Sequence, residues 1–306
     1  MTRSSNGFGA LLWIAAVVAA VCGSAYGAGV QVSLASSFNA DNVLRYSGGV
    51  FSTPGISWDN SAPGGSVDNW IVTQSAANQL VLAEAGSNPV GINDNGFYPA
   101  GGARLYDVQL GFTTATPTGT NVAIRSSAAG SFTFSVPSNP YSQFAIFGSG
   151  GSGNSSLAIT LSYATGSPVV VNATLPDWYS SNPSTTAAGA AGTYFALTPA
   201  MSRQAAYSFE NSGYQAPIAN GGAYIYGVNL APDPTRNLTS VAVAYTPASP
   251  GYTVANFLAA AGAIAGASTP ISTPSAPALG AWGLVLLAAG LSLVCWFLLR
   301  RERQAY

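Results

Sequence analysis

The sequence predicts an all-β protein: a single β-sandwich or jelly-roll ectodomain between an N-terminal signal helix and a C-terminal transmembrane helix. Three observations predict it. Apolar residues in the long middle of the chain recur at every second position, the period of a half-buried strand rather than of a helix. Thirty-five glycines and 19 prolines punctuate these runs. An uncharged apolar run stands near each end of the 306 residues.

The first element is the N-terminal run. Met1-Thr2-Arg3 leads into an apolar stretch from Leu11 to Val21, followed by the small residues Ser24-Ala25-Tyr26-Gly27-Ala28. A charged start, an apolar middle and a small-residue end are the three parts of a secretory signal peptide, here residues 1–27, with signal peptidase as the processing partner. Cys22 follows Val21 rather than a small residue, so it reads as part of the apolar stretch and not as a lipidation site.

The body, residues 28–262, follows. Phe132, Phe134 and Val136 alternate with polar neighbours, as do Leu157, Ile159, Leu161 and Tyr163. The pattern returns at Val169, Val171, Ala173 and Leu175, at Tyr224, Tyr226, Val228 and Leu230, and at Val241, Val243 and Tyr245. Each run predicts a strand. Ala164-Thr165-Gly166-Ser167 lies between two of them and predicts a tight hairpin, with Gly166 free to take the positive φ such a turn demands. Many short strands separated by turn residues indicate a sandwich or jelly roll, and no repeat of fixed period suggests a solenoid or propeller. Ala259 to Ala265 fits either a short helix or a last strand.

Composition narrows the chemistry of this body. The chain has no His and no Lys, which removes histidine bases and lysine Schiff bases. Only 6% of residues are charged, too few for a nucleic-acid binder. Both cysteines, Cys22 and Cys295, lie in the end segments, so the body folds without a disulfide.

Residues 263–275 are rich in Ala, Ser, Thr and Pro and predict an extended linker. The last segment, 276–306, begins Ala276-Pro277-Ala278-Leu279-Gly280-Ala281-Trp282-Gly283. Ala281 to Leu299 carries no charge and is long enough to cross a bilayer as a transmembrane helix, 281–299. Arg300, Arg301 and Arg303 follow it and predict a cytoplasmic stop-transfer cluster, leaving the body outside. Pro277 lacks an amide hydrogen and interrupts a helix there; Trp282 suits the membrane interface.

Pro277, Leu279, Trp282 and Gly283, then the apolar span, then the arginines, resemble the IPTL-CTERM sorting signal of Gram-negative bacteria, part of the wider PEP-CTERM type. Ala276 and Ala278 stand where that signal usually has Ile and Thr. The resemblance implies an exosortase-type processing partner, a transient inner-membrane intermediate, and delivery to the cell surface, outer envelope or extracellular matrix. A permanent single-pass anchor is the alternative. The order of Val32-Ser33-Leu34, Phe38-Asn39, Gly96-Phe97-Tyr98-Pro99, Phe134 to Pro137, Tyr141 to Gly148, Tyr163 to Gly166 and Asp177-Trp178 is similar to that in galactose-binding-like β-sandwiches. That likeness implies a non-catalytic module, some of whose kind hold Ca²⁺ or sugar, so polysaccharide is an expected partner.

No catalytic site is expected. Gly148-Ser149-Gly150-Gly151-Ser152-Gly153 has the spacing of a dinucleotide loop, but a strand pattern and not a helix follows it, so it reads as a flexible connecting loop. Glu84, Glu210 and Asp177 are the carboxylates a glycosidase would draw on, and a carbohydrate-active enzyme or its accessory module is the second alternative. Trp58, Trp70, Tyr98, Trp178, Tyr179 and Tyr214 lie near loop residues and are the candidates for stacking on sugar, against the plainer role of closing the ends of the core. Asp41, Asp94 and Asp107 are candidate Ca²⁺ donors without a regular calcium-loop spacing; no cofactor is otherwise expected.

Overall fold

A computed structural model describes residues 29–52, 58–59, 69–82, 90–112, 123–179, 187–199, 201–205 and 218–266. The signal helix at 1–27, the transmembrane helix at 281–299, the motif residues Pro277, Leu279, Trp282 and Gly283, and Arg300, Arg301 and Arg303 lie outside them.

The first strands are short: β1 Val30–Val32, β2 Val43–Leu44, β3 Tyr46–Ser47, β4 Val50–Phe51 and β5 Asn69–Val72. A helix α1, Gln74–Leu82, precedes β6 Phe97–Tyr98, β7 Val108–Gln109 and β8 Ile124–Ser126. Longer strands follow in β9 Gly130–Gly151, β10 Ser155–Tyr163 and β11 Val169–Leu175. The chain then forms β12 Tyr194–Ala196, β13 Met201–Ala205, β14 Ile218–Ala223 and β15 Tyr226–Asn229, and ends on β16 Asn237–Pro247 and β17 Val254–Ile264. The protein is all-β, and its long strands pair antiparallel.

The main sheet has nine strands, with a principal order β1-β17-β9-β16-β10-β11. Its organiser is β9, whose 22 residues serve two sets of neighbours. Residues 130–140 pair with β16, and residues 141–151 pair with β17 and, over 145–148, with β15. Pro137 and Pro140 stand where the neighbours change. Pro140 has no amide to give the ladder, but its carbonyl accepts the Ala265 amide at 2.7 Å.

Alternation decides which face each residue occupies. In β9, Phe144 and Ile146 enter one core with Phe134, Leu157, Ile159, Leu161, Val241, Val243 and Phe257. Ala145 and Phe147, one position out of phase, enter a second core with Trp58, Tyr106, Val108, Trp178, Leu258 and Ala261. This stretch of sheet is therefore covered on both faces, and β17 is buried along Val254–Ala263.

The alternating runs predicted from sequence fall within β9, β10, β11 and β16, and in part within β15, which takes up Tyr226 and Val228 while Tyr224 and Leu230 lie outside it. Gly166 has φ +80° in the β10–β11 hairpin, as the turn requires. Of Ala259–Ala265, open between helix and strand, residues 259–264 belong to β17 and Ala265 begins the turn after it; the strand runs two residues past 262 and into the stretch expected as linker. The Gly148–Gly153 run is not a flexible loop: Gly148–Gly151 completes β9 in register with β17.

The remaining elements pack as smaller units. A four-stranded sheet has the order β14-β13-β5-β2, its β2–β5 pair parallel. Helix α1 buries Ala76 and Ala77 against Leu44 and Val72. Its first turn is held from outside by Asp94, whose Oδ1 accepts the Ser75 amide and hydroxyl, both at 2.8 Å, where an acid complements the positive end of the helix.

Candidate functional site

The end of β9 gathers several connections at one pole of the main sheet. Gly150 donates its amide to the Pro176 carbonyl at 2.6 Å and accepts the Trp178 amide at 2.9 Å. Asn154, in the β9–β10 turn, accepts the Asp177 amide on Oδ1 at 2.8 Å and the Ala248 amide on its carbonyl at 3.1 Å. From the β16–β17 connection, Gly251 donates to Ser127 O at 3.0 Å and the Thr253 hydroxyl donates to Ser152 O at 3.3 Å. Four connecting segments are thereby tied to one another.

Beneath them lies a buried polar knot. Asp59 Oδ1 accepts the Trp178 indole N–H at 2.9 Å and the Ser152 amide at 2.9 Å. The Trp58 indole donates to the Ser149 hydroxyl at 3.1 Å, and the two indoles lie 6.2 Å apart in a tilted pair. Asn256 bridges to Trp58 O at 3.3 Å and accepts Asn42 Nδ2 at 2.9 Å. The backbone approaches closely here because Gly151 has no side chain: a Cβ there would fall 2.4 Å from Trp58 O. Ser152 takes a left-handed φ of 55°, a costly conformation for a non-glycine residue, with its amide and carbonyl both held as above.

The candidate stacking residues divide. Trp58, Trp178 and Tyr98 are buried at 0%, 1% and 7% exposure, so their rings are core and present no face to a ligand. For these three the structure follows the plainer of the two readings, rings that close the ends of the core, and not the stacking role: the indole N–H groups have partners inside. Tyr98 OH accepts the Asn93 amide at 3.1 Å, and burial pushes the phenol up to about 12. Tyr179 is exposed at 42%. The Trp70 side chain and Tyr214 lie outside the described residues, although the Trp70 backbone belongs to β5. Tyr252, which sequence reasoning passed over, is 74% exposed on the β16–β17 connection of the same pole. Its signal was Ser249-Pro250-Gly251, a turn sequence with an aromatic at its end.

The candidate carboxylates have structural partners. Asp177 Oδ1 accepts the Tyr179 amide at 3.1 Å, closing an Asx turn. Asp41 pairs with Arg45 at 2.6 Å, both nearly inaccessible. Burial raises the Asp41 carboxyl above its ordinary value, against the opposing pull of Arg45. Asp107 Oδ1 accepts the Ala100 amide at 2.7 Å, and Asp94 caps α1. Among the described residues no group of three or more His, Cys, Asp or Glu is placed to hold a metal ion. Glu84 and Glu210 lie outside them.

No protein-family model, curated protein or solved structure matches the chain.

Proposed function

We propose that the chain is an exported, non-enzymatic surface or extracellular-matrix protein. Its body is a β-sandwich or jelly roll, delivered by the signal peptide and processed at its tail by an exosortase-type enzyme. The observation that carries this reading is where the body closes. Strand β17 ends at Ile264 and the last described turn at Gly266, directly ahead of the Ser/Thr/Pro-rich run, Pro277, the uncharged span and the arginines. Intact-mass analysis of the exported protein tests it. The expected species begins at Ala28 and ends ahead of the uncharged span; a species retaining Arg300 to Tyr306 overturns the sorting reading in favour of a permanent anchor.

A neutral polysaccharide is the partner we assign to the body. Tyr179 and Tyr252 support this, since both are exposed at the pole whose connections are held by the Asp59 knot, and flat rings stack on sugar faces. On a glycan array, binding is expected for the wild type and is expected to fall at least tenfold in a Tyr179→Ala/Tyr252→Ala double variant. Unchanged binding in that variant overturns the assignment.

A further inference from the structure

The last strand of the fold is also its keystone. β17 pairs with β9 on one side, while β1 and β8 both find their sheet partner in β17 on the other. Its residues feed both cores: Ala255, Phe257 and Ala260 enter one, Leu258, Ala259, Ala261 and Ala263 the other. Without it, the second half of β9 loses one neighbour, two strands lose their partner in the main sheet, and both cores lose part of their wall. The pairing Val30↔Gly262 joins the first described strand of the chain to the last and closes the longest loop of the described sheet, so β1 gains its partner there only once residues 260–262 are in place.

We propose that β17 is a closing strand that makes the described fold wait for residues 254–264. The segments that emerge first, β1 among them, stay unprotected until Val254–Ile264 is free to insert between β9 and the β1/β8 pair. For an exported chain, and here the inference rests on the reading above, the body stays unfolded while it is threaded and closes only after the linker has been drawn across. Processing then follows folding, and a cut compatible with the closed body lies beyond Gly266. The order of events is set by strand position in the sheet and needs no additional factor.

The test compares the full chain released from the ribosome with the same chain arrested while β17 is still inside the ribosomal tunnel, each challenged briefly with protease. A protected fragment spanning the body is expected only from the released chain. A protected body in the arrested chain overturns the proposal. A second variant guards against a trivial result. Gly262→Val places a Cβ 2.5 Å from the Phe144 ring and 2.6 Å from Gln143 O, so β17 cannot seat, while the linker and tail are untouched. The released Gly262→Val chain is expected to lose the protected fragment, and Tyr252→Ala, altered only at an exposed ring, to keep it. Retention of the fragment by Gly262→Val counts against the proposal. Intact mass and nascent-chain protection are independent readouts, so failure of the sorting reading leaves the folding order standing, and the reverse.

Discussion

Asp59 shows how one short side chain organises a pole of the molecule. Its Oδ1 serves an indole and a main-chain amide at once, and both donors lose their partner if it is removed. Stranding a buried donor costs about 1–3 kcal/mol, so Asp59→Ala is expected to destabilise the body by about 3 kcal/mol in chemical denaturation. Tryptophan emission should shift to longer wavelength as the pocket around Trp178 loosens. Asp41 makes a different prediction. Burial raises its folded carboxyl above the ordinary 3.8, so the folded state holds the proton more tightly than the unfolded chain does. Its contribution to stability is therefore greatest in acid and declines as pH rises from about 4 through the raised value. Denaturation midpoints of the wild type and Asp41→Asn, measured across that range, should show the decline in the wild type and a flatter curve in the variant. For Trp58 and Trp178 the plainer role of core closure was legible, but the groups that satisfy their indoles were not. Their neighbours in sequence are turn residues, whereas the Ser149 and Asp59 that satisfy their indoles are brought in from distant segments.

Among the elements, β10 and β11 were the most readable. One face of each carries the apolar positions, and Gly166 marks the turn between them. Less readable was the clamp on that turn. Arg236 lies 3.9 Å from the centre of the Tyr163 ring and donates to Thr165 O and Ser167 O, at 2.8 and 2.7 Å through one nitrogen. Half-exposed contacts of this kind are worth about 1 kcal/mol together, so Arg236→Ala should lower Tm by about 2–4 °C in a scanning measurement. Strand β17 hid itself for a physical reason. Buried on both faces and rich in alanine, it shows no alternation, and a short apolar run of that kind does not distinguish strand from helix. Helix α1 was missed as well: among its described side chains the buried apolar ones are two alanines, and its first turn is held by an aspartate brought from beyond its far end.

For the molecule as a whole, the all-β class was written in the period-two runs, and two features were not. One is the second core, built on the reverse face of β9 and β17 by residues such as Tyr106, Val108 and Leu110. The run Tyr106, Val108, Leu110 and Phe112 does alternate with Asp107, Gln109 and Gly111, but nothing local tells that it packs on the reverse face of β9 and β17. The other is the way β9 changes partners near Pro137 and Pro140, which depends on neighbours from the far end of the chain. A further consequence comes from the antiparallel register Val30↔Gly262, which puts the start of β1 and the end of β17 beside each other at one edge. Traction applied to the two termini would open that ladder like a zipper, one rung at a time, rather than shearing all its rungs together. A body suspended by both ends would therefore yield at low force, whereas one held by a single end would feel no such peeling.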